Sequence, residues 1–225
     1  TRLGHEVAVG AARKAFADQP TVVTPVVWSG LSEHHMPYGG TLTLSHATFR
    51  AVVGDLVTAI TRHGFRKILI SNSHGGNITA THQICDELSE ETEAVLVATT
   101  YPMAMGDALK DLLEDQPGMQ HACEAETSMM LALEPDLVDT SDLGALGTQG
   151  GPLVGSARRA YRWQPFTAKT ADGVAGRPEK ATAEKGRAII DAATDALAAL
   201  ITDPDTWGPL QDLRGEGTAG VPFRR

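Results

Sequence analysis

The chain has 225 residues, of which 42% are apolar, and a formal net charge of −9. This length is sufficient for a single domain with a sizeable core, in which roughly 70–75% of the unfolded surface is removed from water. The negative charge balance argues against nucleic acids and anionic membrane surfaces as partners, because both are bound through clustered Lys and Arg.

The first half of the chain alternates between helical and strand patterns. A helical spacing of apolar residues over 1–16 is followed at 21–28 by a β-branched run that predicts a buried strand. A second helix over 46–63 leads to a buried strand at 67–71, and a third helix then leads to a strand at 94–100. This order implies right-handed crossovers and a mainly parallel sheet with helices on both faces. We therefore predict an α/β fold, as a three-layer α/β/α sandwich.

The second half of the chain is predicted to be more helical. One helix is predicted over 105–114, another after the acidic cluster that follows it, and a long one over about 181–201. Between them, 139–177 is rich in Gly and Ala and predicts long excursions. Residues 208–225 are rich in Gly and Pro and predict a C-terminal tail. The whole chain is predicted to form one domain.

Three polar clusters are predicted at the edge where open α/β sheets bind ligands, outside the carboxyl ends of the strands. The first is the loop segment 32–35 (SEHH), the second is His74 with the glycines that follow it, and the third spans 121–126. Convergence of three separate segments on one edge is more informative than any one of them alone.

His74 follows a predicted strand and precedes Gly75 and Gly76, which keep the space around the imidazole open. Imidazole is a good ligand for zinc, manganese or iron at such a position. The alternative is a histidine that only caps the next helix. In the loop segment 32–35, adjacent histidines point in different directions, so we expect at most one of His34 and His35 to face a site. A solvated loop is the alternative to substrate contact there.

His121 and Glu126 lie five residues apart at a turn that leads into a helix. Glu124 and Glu126 cannot share one helical face, so one carboxylate can reach a metal while the other points elsewhere. The alternative is an acidic helix N-terminus that complements the helix dipole. Cys123 could be interpreted as a nucleophile, but its sequence neighbours need not be its spatial partners, and a packing role is the alternative.

Taken in order, these segments resemble the creatininase (creatinine amidohydrolase) family. The similarity covers nearly the whole chain, and the glycine-flanked histidine together with the His-to-Glu-Thr-Ser segment is its most specific part. The matching stretches are 38–44, 72–77, 121–136 and 173–186.

The resemblance implies a three-layer α/β fold with a two-metal site, usually assembled as a homohexamer. By matching positions, it implies that His74 and Glu126 bind divalent metal ions, two per subunit (Zn, Mn or Fe). It also implies that His121 assists proton transfer.

The same resemblance places the substrate beside the loop segment 32–35. Ser32 matches a serine that contacts substrate in the creatinine-hydrolysing members. We extend the predicted substrate-binding role to its neighbours Glu33 and His34.

The chain also departs from the family pattern. The family's other metal ligands lie in a Glu-x-His-Gly segment and a following Asp, just upstream of a helix like the one at Thr1, and we expect such a segment before Thr1. The glutamate found two places after the metal histidine in creatinine hydrolases is Gly76 here. Tryptophans that enclose creatinine fall near Pro102 and Pro117, with only Tyr101 as a nearby aromatic residue. We therefore expect creatinine itself to be a poor substrate.

The implied reaction is hydrolysis of an amide, a cyclic amide or a similar activated carbonyl in a small-molecule substrate by a metal-bound hydroxide. The alternative from another class is a non-catalytic relative that binds a ligand or serves as an oligomer scaffold. No apolar run approaches the roughly 20 residues that span a bilayer. The two cysteines do not suggest a disulfide framework. We therefore expect a cytoplasmic protein with no membrane partner.

Overall fold

A computed structural model describes residues 1–114, 116–146, 162–215 and 220. Short 3₁₀ turns occur between the main elements, and those that matter below are given where they are used. The helices and strands are α1 (Arg2–Ala15), α2 (His46–Arg62), β1 (Lys67–Asn72), α3 (Ile78–Glu91), β2 (Val95–Thr100), α4 (Tyr101–Ala104), α5 (Ala108–Asp111), α6 (Glu124–Leu133), α7 (Ala183–Thr202) and α8 (Pro204–Trp207).

The described part of the sheet consists of two parallel strands joined by the α3 crossover. Lys67 of β1 lies opposite Val95 of β2, and the register continues to Asn72 opposite Thr100. Because successive side chains of a strand point to opposite faces, neighbouring residues of β1 enter different cores. Ile68 packs with the helical layer of α2 and α3, whereas Leu69 packs with the layer of α1, α6 and α7. The predicted three-layer α/β/α arrangement is confirmed.

The larger core lies between α1, α6 and α7. Its fully buried side chains include Val7, Met129, Ile189 and Leu197. Burial of one such side chain contributes about 1.5–3 kcal/mol. Helix α7 begins where the Thr182 hydroxyl accepts a hydrogen bond from a backbone amide of its first turn, which satisfies one of the unpaired donors of a helix N-terminus.

The smaller core lies between α2, α3 and the other face of the sheet. Phe49, Val57, Ile84 and Leu88 are buried in it, together with Leu31 from the loop before α2. Leu31 therefore anchors one end of the loop segment 32–35 in the hydrophobic core. This anchoring holds the polar loop beside the carboxyl end of β1.

The strand predicted at 21–28 is wrong, since no strand is assigned there. Val22 and Trp28 are 73% and 68% exposed, and Pro25 lacks the amide that a ladder needs. A β-branched run predicts the backbone preference, but a strand also needs a neighbour with which to pair. For the same reason β1, predicted to be buried, is partly exposed: only its edge toward β2 is paired among the described residues.

The helix predicted over 105–114 forms only in part, as α5 (Ala108–Asp111), and not as one continuous helix. The chain forms the two short helices α4 and α5 instead, separated by Gly106, whose φ of +55° lies in the left-handed region. Glycine adopts this conformation readily and ends a helix there. In the predicted excursion at 139–177, residues 147–161 lie outside the described residues, as do 216–219 and 221–225 of the predicted tail. Within the described chain, none of the helices has both the length and the apolar character of a transmembrane segment.

Candidate functional site

The site lies at the carboxyl end of β1, where Asn72 fixes the backbone that leads to His74. The buried Asn72 amide donates hydrogen bonds to the His74 carbonyl (2.8 Å) and to Thr100 Oγ1 on β2 (3.0 Å). Its Oδ1 accepts a hydrogen bond from the His74 amide at 3.1 Å. One side chain thus ties the ends of both strands to the loop, which holds His74 at the sheet edge.

The His74 imidazole lies between the sheet edge and the loop segment 32–35. Its Nε2 is 3.1 Å from the carbonyl oxygen of Leu31 and 3.2 Å from Ser32 Oγ. A carbonyl oxygen only accepts hydrogen bonds, so Nε2 carries the hydrogen and the lone pair of the neutral ring is on Nδ1. Burial lowers the pKa of His74, which keeps the ring neutral.

The loop segment 32–35 is held in place by contacts at its base. Asn77 Oδ1 accepts a hydrogen bond from the Leu31 amide (2.8 Å), and Thr43 Oγ1 accepts one from the Ser32 amide (2.9 Å). Residues Glu33–His35 then form a single 3₁₀ turn. A turn with three residues per revolution rotates neighbouring side chains by about 120°, less than the half-turn of a strand.

Because of this rotation, His34 and His35 both face the site, and the prediction that at most one would do so is wrong. The His34 ring stacks on the His74 ring, with centroids 5.6 Å apart and planes inclined by 8°. The His35 ring lies 4.0 Å from that of His34 and 5.7 Å from that of His74. Glu33, in contrast, is exposed and is not brought into this cluster.

Of these histidines, His35 has the pKa that its surroundings lower most clearly. Its Nε2 is buried, and it has no hydrogen-bond partner among the described residues. Burial, reinforced by the neighbouring histidines, lowers the pKa of His35 to about 3. Burial also lowers the pKa of His34. At neutral pH the cluster therefore presents uncharged imidazoles, the protonation state that binds metal ions.

His121 approaches the cluster from the opposite side. Its ring centroid is 4.5 Å from that of His35, and its Nδ1 donates a hydrogen bond to the Gly173 carbonyl at 2.6 Å. The backbones of His121 and Ala175 form an isolated antiparallel bridge that fixes this position. Since Nδ1 carries the hydrogen, Nε2 of the neutral ring has a free lone pair that can accept a proton.

Glu126 lies at the N-terminus of α6, next to His121. One carboxylate oxygen accepts a hydrogen bond from the amide of Ala122, whose φ of +47° is in the left-handed region. Burial raises the pKa of Glu126, while the electrostatic interaction with His121 and two backbone hydrogen bonds oppose the shift. The carboxylate thus caps its helix, as the alternative interpretation expected. Its predicted role as a metal ligand stays a prediction.

Glu124, on the other side of α6, is fully buried and has a structural role. Its carboxylate accepts hydrogen bonds from Lys185 Nζ at 2.8 Å and from the Glu114 amide. The two carboxylates of this segment therefore point to different partners. Cys123 between them is completely buried, and burial raises the pKa of its thiol. This environment suits the packing interpretation of Cys123 rather than a nucleophile.

Phe166 belongs to the site, although no sequence pattern indicated it. Its ring lies 4.7 Å from that of His35 and 4.6 Å from that of His121, and the residue is 5% exposed. It comes from a 3₁₀ turn, Phe166–Ala168, in the excursion before α7. Tyr101, the aromatic residue singled out from the sequence, is buried in the core with its hydroxyl donating to the sulfurs of Met119 and Met129.

The donor set of the cluster fits a divalent metal ion. One ligand-capable atom each of His34, His35 and His74 lies within 4.8 Å of the other two. Imidazole nitrogen suits zinc, iron and other first-row transition metals. His74 also makes the contact that orients metal-binding histidines, a ring N–H donated to a backbone carbonyl. The structure therefore brings together the predicted residues Ser32, His34 and His74, with His121 beside them.

A sequence profile of the Creatininase family, described as creatinine amidohydrolase, matches residues 1–201. The chain belongs to this family. It is 26% identical over 203 residues to the 3-dehydro-scyllo-inosose hydrolase of Thermotoga maritima, covering 81% of this chain and 65% of the length of that relative.

Two further similarities support the same assignment. The mycofactocin precursor peptide peptidase of Mycolicibacterium smegmatis is 30% identical over 216 residues, with 93% of this chain and 80% of the relative covered. Among solved structures, one from Bacteroides fragilis assigned as a creatinine amidohydrolase superposes with a TM-score of 0.73 at 26% identity. That match covers 93% of this chain and 83% of the other.

Proposed function

We propose that this member of the creatininase family is a metal-dependent hydrolase that acts on an amide, a cyclic amide or a similarly activated carbonyl. The observation behind the proposal is the convergence of His34, His35 and His74 with the ring of His121 at the carboxyl end of β1. Half-buried imidazoles that meet at a sheet edge are suited to a metal ion and to proton transfer.

We assign His74 and Glu126 as metal ligands, with two divalent ions per subunit. His74 supplies a neutral nitrogen that is oriented by the Leu31 carbonyl. Glu126 supplies a carboxylate whose pKa is raised by burial. A nearby cation would stabilise its charged form and lower that pKa. When bound, such ions polarise the substrate carbonyl and lower the pKa of a water molecule.

His121 is assigned to proton transfer. Its Nδ1 is held by the Gly173 carbonyl, so the ring cannot rotate freely and Nε2 is left to exchange protons. In this geometry Nε2 can take a proton from the attacking water and return it to the leaving nitrogen or oxygen. Phe166 packs against the same ring and shields it from water.

The substrate is proposed to contact Ser32. The named relatives are a 3-dehydro-scyllo-inosose hydrolase and a mycofactocin precursor peptide peptidase, so their names support a hydrolase and differ in the substrate. Creatinine is proposed to be a poor substrate. A side chain at position 76 has no room here, since a Cβ would lie 2.6 Å from atoms of His34 and His74.

The test is a hydrolysis screen with purified protein, before and after removal of metal by a chelator. The compounds are cyclic amides including creatinine, N-formyl compounds, short peptides and cyclic polyol ketones. We expect turnover that is lost on chelation and restored by Zn²⁺, Mn²⁺ or Fe²⁺. His74→Ala should abolish it, whereas His82→Ala, an exposed change on α3, should not. Turnover that survives complete chelation would refute the metal dependence, whereas no turnover in the metal-loaded protein would favour the non-catalytic alternative.

The assembly remains a prediction from the family resemblance, and the location remains one from the cysteine usage of the sequence. A homohexamer is expected, and sedimentation velocity of the purified protein measures it. Cytoplasmic location is expected as well, and fractionation of cells that express the full gene tests it.

A further inference from the structure

Three side chains of this chain surround one point beside β1, and they come from only two segments. His34 and His35 belong to the 3₁₀ turn Glu33–His35, and His74 follows β1. Each offers one ligand-capable atom within 4.8 Å of the other two. Ligands of a tetrahedral zinc site lie about 2.0–2.1 Å from the ion, so rotamer adjustments would close this group around a single ion.

Gly76 is required for this arrangement. A Cβ built at position 76 would lie 2.6 Å from both His34 Cε1 and His74 Nε2, and 2.5 Å from the Leu31 carbonyl oxygen. Any side chain at position 76 would therefore displace the His34 ring from His74. The neighbouring Gly75 is different, because a Cβ there would meet no atom within 4 Å. Because Gly76 has no side chain, the imidazole of His34 has room to lie beside His74.

The buried Nε2 of His35 points to a missing ligand. A buried nitrogen without a partner costs free energy, about 1–3 kcal/mol for a polar group, and this atom has no partner among the described residues. Its ring is enclosed by His34, His121 and Phe166, none of which donates to it or accepts from it. A cation bound through this nitrogen would satisfy it.

We propose that His34, His35 and His74 together bind one divalent transition-metal ion, with His34 as a metal ligand and not a substrate contact. The proposal rests on the metal dependence proposed above and assigns the ligands of one of its ions. Three neutral nitrogen donors favour Zn²⁺ and Co²⁺ over Mg²⁺ and Ca²⁺, which prefer oxygen donors. Glu126 then belongs to the second ion.

The first test measures metal binding without any substrate. The full chain is stripped with a chelator and titrated with Co²⁺, whose visible absorption reports the number and geometry of its ligands. We expect a tight site in the wild-type protein that is weakened at least about 100-fold in His34→Ala, His35→Ala and His74→Ala. His82→Ala is the matched control and should bind as the wild type does.

The second test uses the two adjacent glycines. Gly76→Ala should weaken Co²⁺ binding at least as much as His34→Ala, because the added Cβ would lie 2.6 Å from atoms of both His34 and His74. Gly75→Ala should bind normally. Circular dichroism and thermal melts of the metal-free proteins show whether each variant is folded. If His34→Ala fails to fold, it is replaced by His34→Gln, which keeps a side chain of similar size.

The outcomes separate this proposal from the proposed function. Unchanged Co²⁺ affinity and spectrum in His34→Ala and His35→Ala, with loss in His74→Ala, would overturn the three-histidine site and leave the metal-dependent hydrolase intact. Conversely, a site lost in all three variants supports the ligand assignment even where the screen finds no hydrolysis.

Discussion

Gly186 of α7 lies against the backbone of α6, and replacing it by Ala should destabilise the protein. A Cβ at this position would lie 1.9 Å from the Ser128 carbonyl oxygen and 2.4 Å from the carbonyl carbon. Ordinary contact requires about 3.5 Å, so the two helices would have to separate by more than an ångström. Ser128 cannot yield easily, because it is fully buried and its hydroxyl accepts a hydrogen bond from the Thr182 amide.

The size of the effect follows from two opposing contributions. Overpacking of a core costs about 1–3 kcal/mol, and a clash with rigid backbone belongs at the upper end of that range. Replacing a helical Gly by Ala returns about 0.5–1 kcal/mol. The expected net loss for Gly186→Ala is therefore about 2 kcal/mol, which in a domain of this size lowers Tm by about 4–8 °C.

Gly54→Ala on α2 is the matched control. A Cβ there would meet the end of the flexible Arg50 side chain at 3.0 Å and Leu88 Cδ2 at 3.8 Å, so only the helical gain remains and Tm should rise by about 1–4 °C. Melting and urea unfolding are followed by circular dichroism with chelator present, which removes stabilisation by bound metal. A Tm for Gly186→Ala equal to or above that of the wild type would refute the close contact between α6 and α7.

Four further changes test the site and its supports. His121→Ala should retain bound metal and lose turnover by about 100-fold or more; metal analysis that instead finds metal lost would make His121 a ligand. Lys185→Met should lower stability by about 2 kcal/mol, because it leaves the buried Glu124 carboxylate without its cation, and the double variant with Glu124→Leu should recover part of this in urea unfolding. Ala122→Gly should be tolerated, whereas Ala122→Val should lower Tm, because a β-branched residue is strained at positive φ. His35→Leu should raise the Tm of the metal-free protein by removing an unsatisfied nitrogen while abolishing the Co²⁺ site; a lower Tm would contradict the unsatisfied state of that ring.

The main helices and two of the three predicted strands could be predicted because the spacing of apolar residues is visible within each segment of the sequence. The periodicity placed α1, α2 and α7 within two residues of their observed ends. The segment 21–28 has an equally strong local pattern, yet it forms no strand. What it lacks is a partner, and pairing is a property of the fold that no window of sequence contains.

The candidate site was predictable only in part, for the same reason. The polar segments after strands pointed to one sheet edge, and the structure places His34, His74 and His121 there. The contribution of His35 depended on a 3₁₀ turn that the sequence pattern did not reveal. Phe166 reaches the cluster from a segment 45 residues beyond His121 in the numbering of the chain. A contact over such a separation leaves no periodic signal.

The pattern of satisfied and unsatisfied polar groups locates the site independently of the family. Asn72, Gln116 and Glu124 are buried, and each has its hydrogen-bond partners. Ion pairs and amide contacts of this kind stabilise a particular packing. The buried Nε2 of His35, in contrast, has no partner among the described residues. Ser29 Oγ is the other buried side-chain atom that has no partner among the described residues. Both unsatisfied atoms therefore lie in the segment 29–35, which carries two of the clustered histidines, and a bound ligand there would supply the partner that the imidazole nitrogen lacks.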